Sequence, residues 1–201
     1  MGDLKNAKMY GGIGSILMLV GGFIPLLGFV LPIVGLVLVF VAIKNIADEA
    51  KNQDIFKNYL LYFILNIVAL VAVFGIAFIT LGAVGFSIMD LASQTSTTGT
   101  TDPSQIFAGM DIMALISGCL TALAVAWILL IISAIFLRKS FTAIADYTKV
   151  GLFGTTGLIY LIGAATLIIA IGGIIILIAF VMQIIAFFSL PDTIAAAEAP
   201  A

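Results

Sequence analysis

The sequence has no histidine and one cysteine, and it has few charges: eight Lys and Arg with ten Asp and Glu in 201 residues. Without histidine, zinc sites built on imidazole, Ser-His and Cys-His dyads, and histidine-ligated haem are excluded. Cys119 alone cannot form a disulfide within the chain, and its place in an apolar stretch indicates a packing residue. Since a soluble domain of this size needs far more surface charge, the composition excludes a soluble enzyme and a nucleic-acid binder.

Apolar residues make up 63% of the sequence, and they are gathered into long uncharged blocks. Four blocks contain no Asp, Glu, Lys or Arg: 9–43, 58–89, 112–137 and 150–191. Each is longer than the roughly 20 apolar residues with which an α-helix crosses a hydrocarbon core. The sequence therefore predicts a protein of the cell membrane with several crossings.

The positions of the basic residues predict how many crossings there are. Lys and Arg occur before the first block, between the first and second, and between the third and fourth, but nowhere else. If the first and last blocks fold back as hairpins, all eight basic residues lie on one side, as the positive-inside rule favours. The turn of the first hairpin has Gly21, Gly22, Pro25 and Gly28, and that of the last has Gly172-Gly173.

We therefore predict an all-α, polytopic transmembrane helical bundle, arranged as a hairpin, two long helices and a second hairpin. A single domain would cover 1–191, with a flexible Ser/Thr-rich loop at 92–105 and a disordered Ala-rich tail at 192–201. The six predicted segments are 9–24, 28–43, 58–89, 107–137, 150–171 and 174–190. Because each limb of the first hairpin rises only about 24 Å, either a spanning or a re-entrant hairpin fits.

The same rule predicts the orientation of the chain. Both termini and the segments 44–57 and 138–149 would be cytoplasmic, and the 92–105 loop external. Both cytoplasmic segments have helical periodicity, which fits either helices on the membrane surface or extensions of the spans. Their basic residues fit the binding of anionic lipid headgroups, and they are equally explained as determinants of topology.

Neutral polar side chains are the candidates for a site within the apolar blocks. They are Asn66, Thr80, Ser117, Thr121, Ser133, Thr166 and Gln183. Asn66 and Gln183 are predicted to form a polar cluster, whose default role is interhelical hydrogen bonding and whose alternative role is permeation. Gly118, Ala122 and Ala126 repeat every four residues, which predicts a close helix contact within the chain or with a partner.

Several segments of the chain resemble a known family of membrane proteins. They are 136–164 (FLRKSFTAIADYTKVGLFGTTGLIYLIGA), 185–190, Gly14 with Gly21, 34–42 and 54–58. This pattern is similar to that of the uncharacterised family called domain of unknown function 996. The resemblance implies an archaeal source, and it supplies no catalytic or binding residues.

The inventory of side chains leads to two functional hypotheses. Asp90 and Asp111 lack the Gly-x-Gly-Asp signature of intramembrane proteases, so we expect no enzymatic activity, cofactor or metal. The first hypothesis is a structural or accessory subunit that packs as a homo-oligomer or against other membrane proteins, in contact with lipid and not with nucleic acid. The alternative is a small permease or channel for an ion or an uncharged solute. The faint similarity of 14–21 to 157–163 leaves an internal duplication open.

Overall fold

The computed structural model describes residues 2–21, 24, 30–98, 112–169 and 171–194. Within these residues the chain forms six α-helices, and a 3₁₀ turn, Leu167–Ile169, follows the fifth. The helices are α1 (Lys5–Gly21), α2 (Val30–Glu49), α3 (Gln53–Thr98), α4 (Ile112–Thr148), α5 (Leu152–Thr166) and α6 (Ile171–Phe188). The predicted all-α fold, with a hairpin, two long helices and a second hairpin, is confirmed.

Five of these six helices contain a stretch that is long and apolar enough to cross a bilayer, within the part of the chain that is described. The stretches are Val30–Glu49, Gln53–Ile79, Ile116–Thr148, Leu152–Ile169 and Ile171–Phe188. Helix α1 has 17 residues and rises about 26 Å, which is short of a hydrocarbon core of about 30 Å. The sequence predicts six membrane segments, and five of the described helices are long and apolar enough to be such segments.

Glycine lets the two limbs of each hairpin approach closely. A Cβ on Gly14 would lie 2.6 Å from the carbonyl oxygen of Gly35, so the backbones of α1 and α2 touch where they cross. In the second hairpin, a Cβ on Gly163 would lie 2.7 Å from Ile176 Cγ1 of α6. The hairpins also meet each other, because Gly11 of α1 packs against the ring of Phe187 on α6.

The contacts divide the chain into two units, where the sequence predicted one domain over 1–191. The first unit is 1–65 with 130–201, and the second is 66–129. The first holds a core of buried apolar side chains from all six helices and from the residues beside them. Its largest fully buried members are Phe141, Phe153, Phe187, Leu4, Ile43, Ile46, Ile55, Leu137, Ile144 and Leu190.

The ends of the helices in the first unit meet at one end of the bundle. Two-residue strands, β1 (Gly2–Asp3) and β2 (Thr193–Ile194), pair antiparallel and join the start of α1 to the end of α6. The Lys8 ammonium lies 3.1 Å from the Asp192 carboxylate beside them. The Tyr147 hydroxyl donates to the Glu49 carbonyl at 2.9 Å, which joins the ends of α4 and α2. The basic residues next to these helix ends therefore share one end of the unit.

The segments 44–57 and 138–149 are largely extensions of the spans. Helix α2 continues to Glu49 and α4 to Thr148, and a new helix begins within four residues of each end. Each break contains a lysine with positive φ, Lys51 at 50° and Lys149 at 59°. A left-handed residue commonly ends a helix, although glycine is the usual choice there.

Two predicted boundaries are wrong. Helix α3 continues to Thr98, so residues 92–98 of the predicted loop are helical. The chain has no Gly or Pro between Gly85 and Gly99, and Ser and Thr lower helix propensity only slightly. In the predicted tail, Thr193 and Ile194 form β2, since β1 offers them hydrogen-bonding groups. Residues 99–105 and 195–201 lie outside the described residues.

Candidate functional site

A chain of hydrogen bonds runs through the interior of the first unit and is centred on Gln183 of α6. The Gln183 Nε2 donates to Ser15 Oγ at 2.9 Å, and its Oε1 accepts from the Tyr160 hydroxyl at 3.0 Å. Ser15 Oγ in turn donates to the Gly11 carbonyl at 2.7 Å. The three side chains are buried: Ser15 is 0% exposed, Gln183 4% and Tyr160 7%. We call Ser15, Tyr160 and Gln183 the polar network.

The close approach of α1 and α6 is what places the polar network. Gly11 and Gly12 have no side chain, so the rings of Phe187 and Phe188 occupy the space where a Cβ would be. Ser15 lies one helical turn after Gly11 and Gln183 one turn before Phe187, so both face the same contact. Tyr160 lies on α5, and its ring makes an edge-on contact with the ring of Phe180 on α6, with centroids 5.4 Å apart.

The chemistry of the polar network is that of neutral hydrogen bonds. In the described part of the chain, every buried side-chain nitrogen and oxygen has a hydrogen-bond partner. Those residues also include no group of three or more His, Cys, Asp or Glu that could hold a metal ion. Since an unpaired polar group is costly inside a membrane, the network ties three helices together and leaves its own polar atoms satisfied.

The structure places Gln183, one of the two residues of the predicted polar cluster, in this network. Gln183 is at the centre of the network, and its hydrogen bonds go to two residues that the sequence analysis did not select. Asn66 is half-buried on α3 at the start of the second unit. The pairing of Asn66 with Gln183 stays a prediction. Ser15 was detectable, because it is the only Ser, Thr, Asn or Gln in the first apolar block.

The other neutral polar residues make local bonds or join α4 to α3. Ser133 Oγ donates to the Tyr62 carbonyl at 3.2 Å, and Ser140 Oγ donates to the Ile55 carbonyl at 2.8 Å. Thr121 donates to its own helix, at the Ser117 carbonyl. Thr166 does the same at the carbonyls of Ile162 and Gly163. The side chain of Thr80 lies outside the described residues.

The predicted small-residue stripe faces inward within the second unit. Ala122 and Ala126 are each 8% exposed and Gly118 is half-buried, whereas Leu120 and Leu123 beside them are more than 60% exposed. Small residues at a helix contact let the backbones approach, so the chain's own packing occupies this stripe. Cys119, its neighbour, is exposed.

Comparison with known proteins identifies the family of this chain. Residues 31–181 match the family described as protein of unknown function (DUF996). The chain is also similar to the uncharacterised protein MJ1644 of the archaeon Methanocaldococcus jannaschii, with 33% identity over 190 residues and 94% coverage of each chain. No solved structure matches it. The chain therefore belongs to the uncharacterised DUF996 family, in which the resemblance of its sequence placed it.

Proposed function

We propose that this protein is a non-enzymatic structural or accessory subunit of the cell membrane, which assembles by helix packing with a second copy or with other membrane proteins. Its basic end would face the cytoplasm and the connection between α3 and α4 would lie outside, in accord with the positive-inside rule. The length of the apolar surface of α3 supports this proposal most strongly.

Large apolar side chains are exposed along α3 over a greater length than one bilayer covers. They run from Leu61 to Met89, a rise of about 42 Å along the helix. At an average tilt of about 20°, a hydrocarbon core of about 30 Å takes up only about 32 Å of helix. Close to 10 Å of apolar helix is left, and Phe86 and Met89, at 78% and 73% exposed, lie at its outer end. A protein partner would remove this surface from water.

The interior of the chain also favours assembly over permeation. The apolar blocks contain no charged residue, whereas ion and solute paths usually have intramembrane charges. The polar network is closed by hydrogen bonds among its own members and the backbone of α1. A permease would need polar groups that a passing solute could reach.

Site-directed cross-linking tests the assembly. In a Cys119→Ser background, Phe86→Cys carries a photoactivatable cross-linker attached through the thiol, in native membranes. We expect adducts with a second copy or with another membrane protein at position 86. The matched control is Ile174→Cys on α6, which is similarly exposed at 68% and lies within a single bilayer-length helix. If both positions cross-link to the same extent and only to lipid, and the protein is a monomer after mild extraction, the proposal is contradicted.

A further inference from the structure

An open cleft of about 640 Å³ lies where α4 meets α5, near the basic end of the first unit. Six residues that line it are Ile135, Arg138, Lys139, Thr142 and Asp146 of α4 and Leu161 of α5. The α4 residues follow one another at helical spacing, so they share one face of that helix. Along α4 towards the basic end, this face changes from apolar to basic, then to a hydroxyl and a carboxylate.

Two cations are held at the rim of this cleft without a carboxylate partner. A Cβ on Gly157 would lie 2.9 Å from Arg138 Cα, so α5 packs on the backbone of Arg138 and leaves its side chain exposed. Lys139 Nζ lies 5.5 Å from the centroid of the Phe136 ring, which favours a cation above its face. Among the residues that the structure describes, neither cation forms an ion pair.

The end of the uncharged block in α4 predicts that the cleft crosses the boundary between the hydrocarbon core and the headgroups. The uncharged block of α4 ends at Leu137, so Arg138 and Lys139 are the first residues that can reach the headgroup level. Ile135 and Leu161 continue the cleft inward as an apolar wall. Asp146 lies about 12 Å beyond Arg138 along the helix. A ligand that fits this order of chemistry has a phosphate between an apolar tail and a hydroxylated end.

We propose that this cleft binds one anionic phospholipid. The guanidinium of Arg138 and the ammonium of Lys139 bind the phosphate, and the Thr142 hydroxyl donates to it. An acyl chain lies along Ile135 and Leu161, and the Asp146 carboxylate accepts from a hydroxyl of the headgroup. A cleft of this volume is in the range of small-molecule sites and has room for a headgroup with the start of its chains.

Native mass spectrometry of the full chain tests the site, with phosphatidylglycerol and phosphatidylcholine titrated separately in detergent. We expect phosphatidylglycerol to bind preferentially at one site. Arg138→Gln with Lys139→Gln should weaken this binding roughly 30-fold, since each basic side chain at a headgroup contributes about fivefold. The matched control, Lys44→Gln with Lys51→Gln, removes two exposed charges at the same end but outside the cleft. It should change binding by less than about threefold, because neither side chain lines the cleft and the attraction between charges falls off within a Debye length.

A variant that changes no charge distinguishes a loss of lipid binding from a loss of folding. Ala143→Phe narrows the cleft, since Ala143 also lines it, and should weaken phosphatidylglycerol binding while helical content stays unchanged. If both charge variants weaken binding equally, the attraction is that of the whole basic end and the proposed site is wrong. If inorganic phosphate displaces the lipid and Ala143→Phe has no effect, the cleft is a site for free phosphate, and the lipid proposal is overturned.

Discussion

Gln183 is buried, and both its amide nitrogen and its amide oxygen form hydrogen bonds to other helices. A substitution at Gln183 therefore tests the polar network most directly. Gln183→Leu keeps the size of the side chain but leaves the Tyr160 hydroxyl without its acceptor. We expect a loss of about 1–2 kcal/mol in the free energy of unfolding, because an orphaned buried hydroxyl adds to the two lost hydrogen bonds. Thermal or denaturant unfolding in detergent measures it.

The control for this residue is a second substitution in the same variant. Gln183→Leu with Tyr160→Phe removes the orphaned hydroxyl, so the double variant should be more stable than Gln183→Leu alone. Ser15 keeps its bond to the Gly11 carbonyl in either case. If the double variant is less stable by the sum of two independent losses, the bond between Tyr160 and Gln183 contributes nothing.

The partners of Gln183 show what one sequence can predict at the scale of residues. A glutamine in an uncharged block must find a hydrogen bond, and this is enough to select it. Its partners are Ser15, separated by 168 positions, and Tyr160, separated by 23. Helical periodicity relates residues within one helix, so it cannot tell which distant helix supplies the partner.

At the scale of elements, the first hairpin depends on a backbone contact that only glycine permits. Gly35→Ala places a methyl group against the Gly14 carbonyl oxygen and 2.8 Å from Met18 Cγ. We expect a loss of about 1–3 kcal/mol in the free energy of unfolding, because overpacking outweighs the gain in helix propensity. Gly75→Ala in α3 is the matched control. Apart from its own neighbours in the helix, no described residue lies within 4 Å of a Cβ placed there, so stability should stay the same or rise. Similar losses in both variants would contradict the close contact.

The hairpins themselves were predictable from charge, whereas the ends of the long helices were not. Lysines lie on both sides of the first apolar block, so all basic residues stay on one side of the membrane only if this block is a hairpin. Gly and Pro residues in the block predict where the hairpin turns. The sequence predicts too early an end for α3, because a Ser/Thr-rich composition favours a loop, whereas the helix continues to Thr98. Ser and Thr lower helix propensity only gradually, whereas Gly and Pro disrupt a helix far more strongly.

At the scale of the whole molecule, contacts at the basic end join the helices of the first unit. The pairing of β1 with β2 joins the two termini, and the bond from Tyr147 to the Glu49 carbonyl joins the ends of α4 and α2. The positive-inside rule predicts that these basic connections lie on the cytoplasmic side, because translocating them is unfavourable. The cleft between α4 and α5 lies near this end, so the proposed lipid would come from the cytoplasmic leaflet.

Accessibility of single cysteines to a membrane-impermeant maleimide tests this orientation. In a Cys119→Ser background, Asn6→Cys and Asn52→Cys place a thiol at exposed positions in the first turn of α1 and between α2 and α3. In intact cells both should be protected, and both should react after the membrane is opened. Gln105→Cys, in the connection between α3 and α4, should react in intact cells. If Asn6→Cys and Asn52→Cys react from opposite sides, the first apolar block crosses the membrane once, and the shared basic end cannot exist in the bilayer.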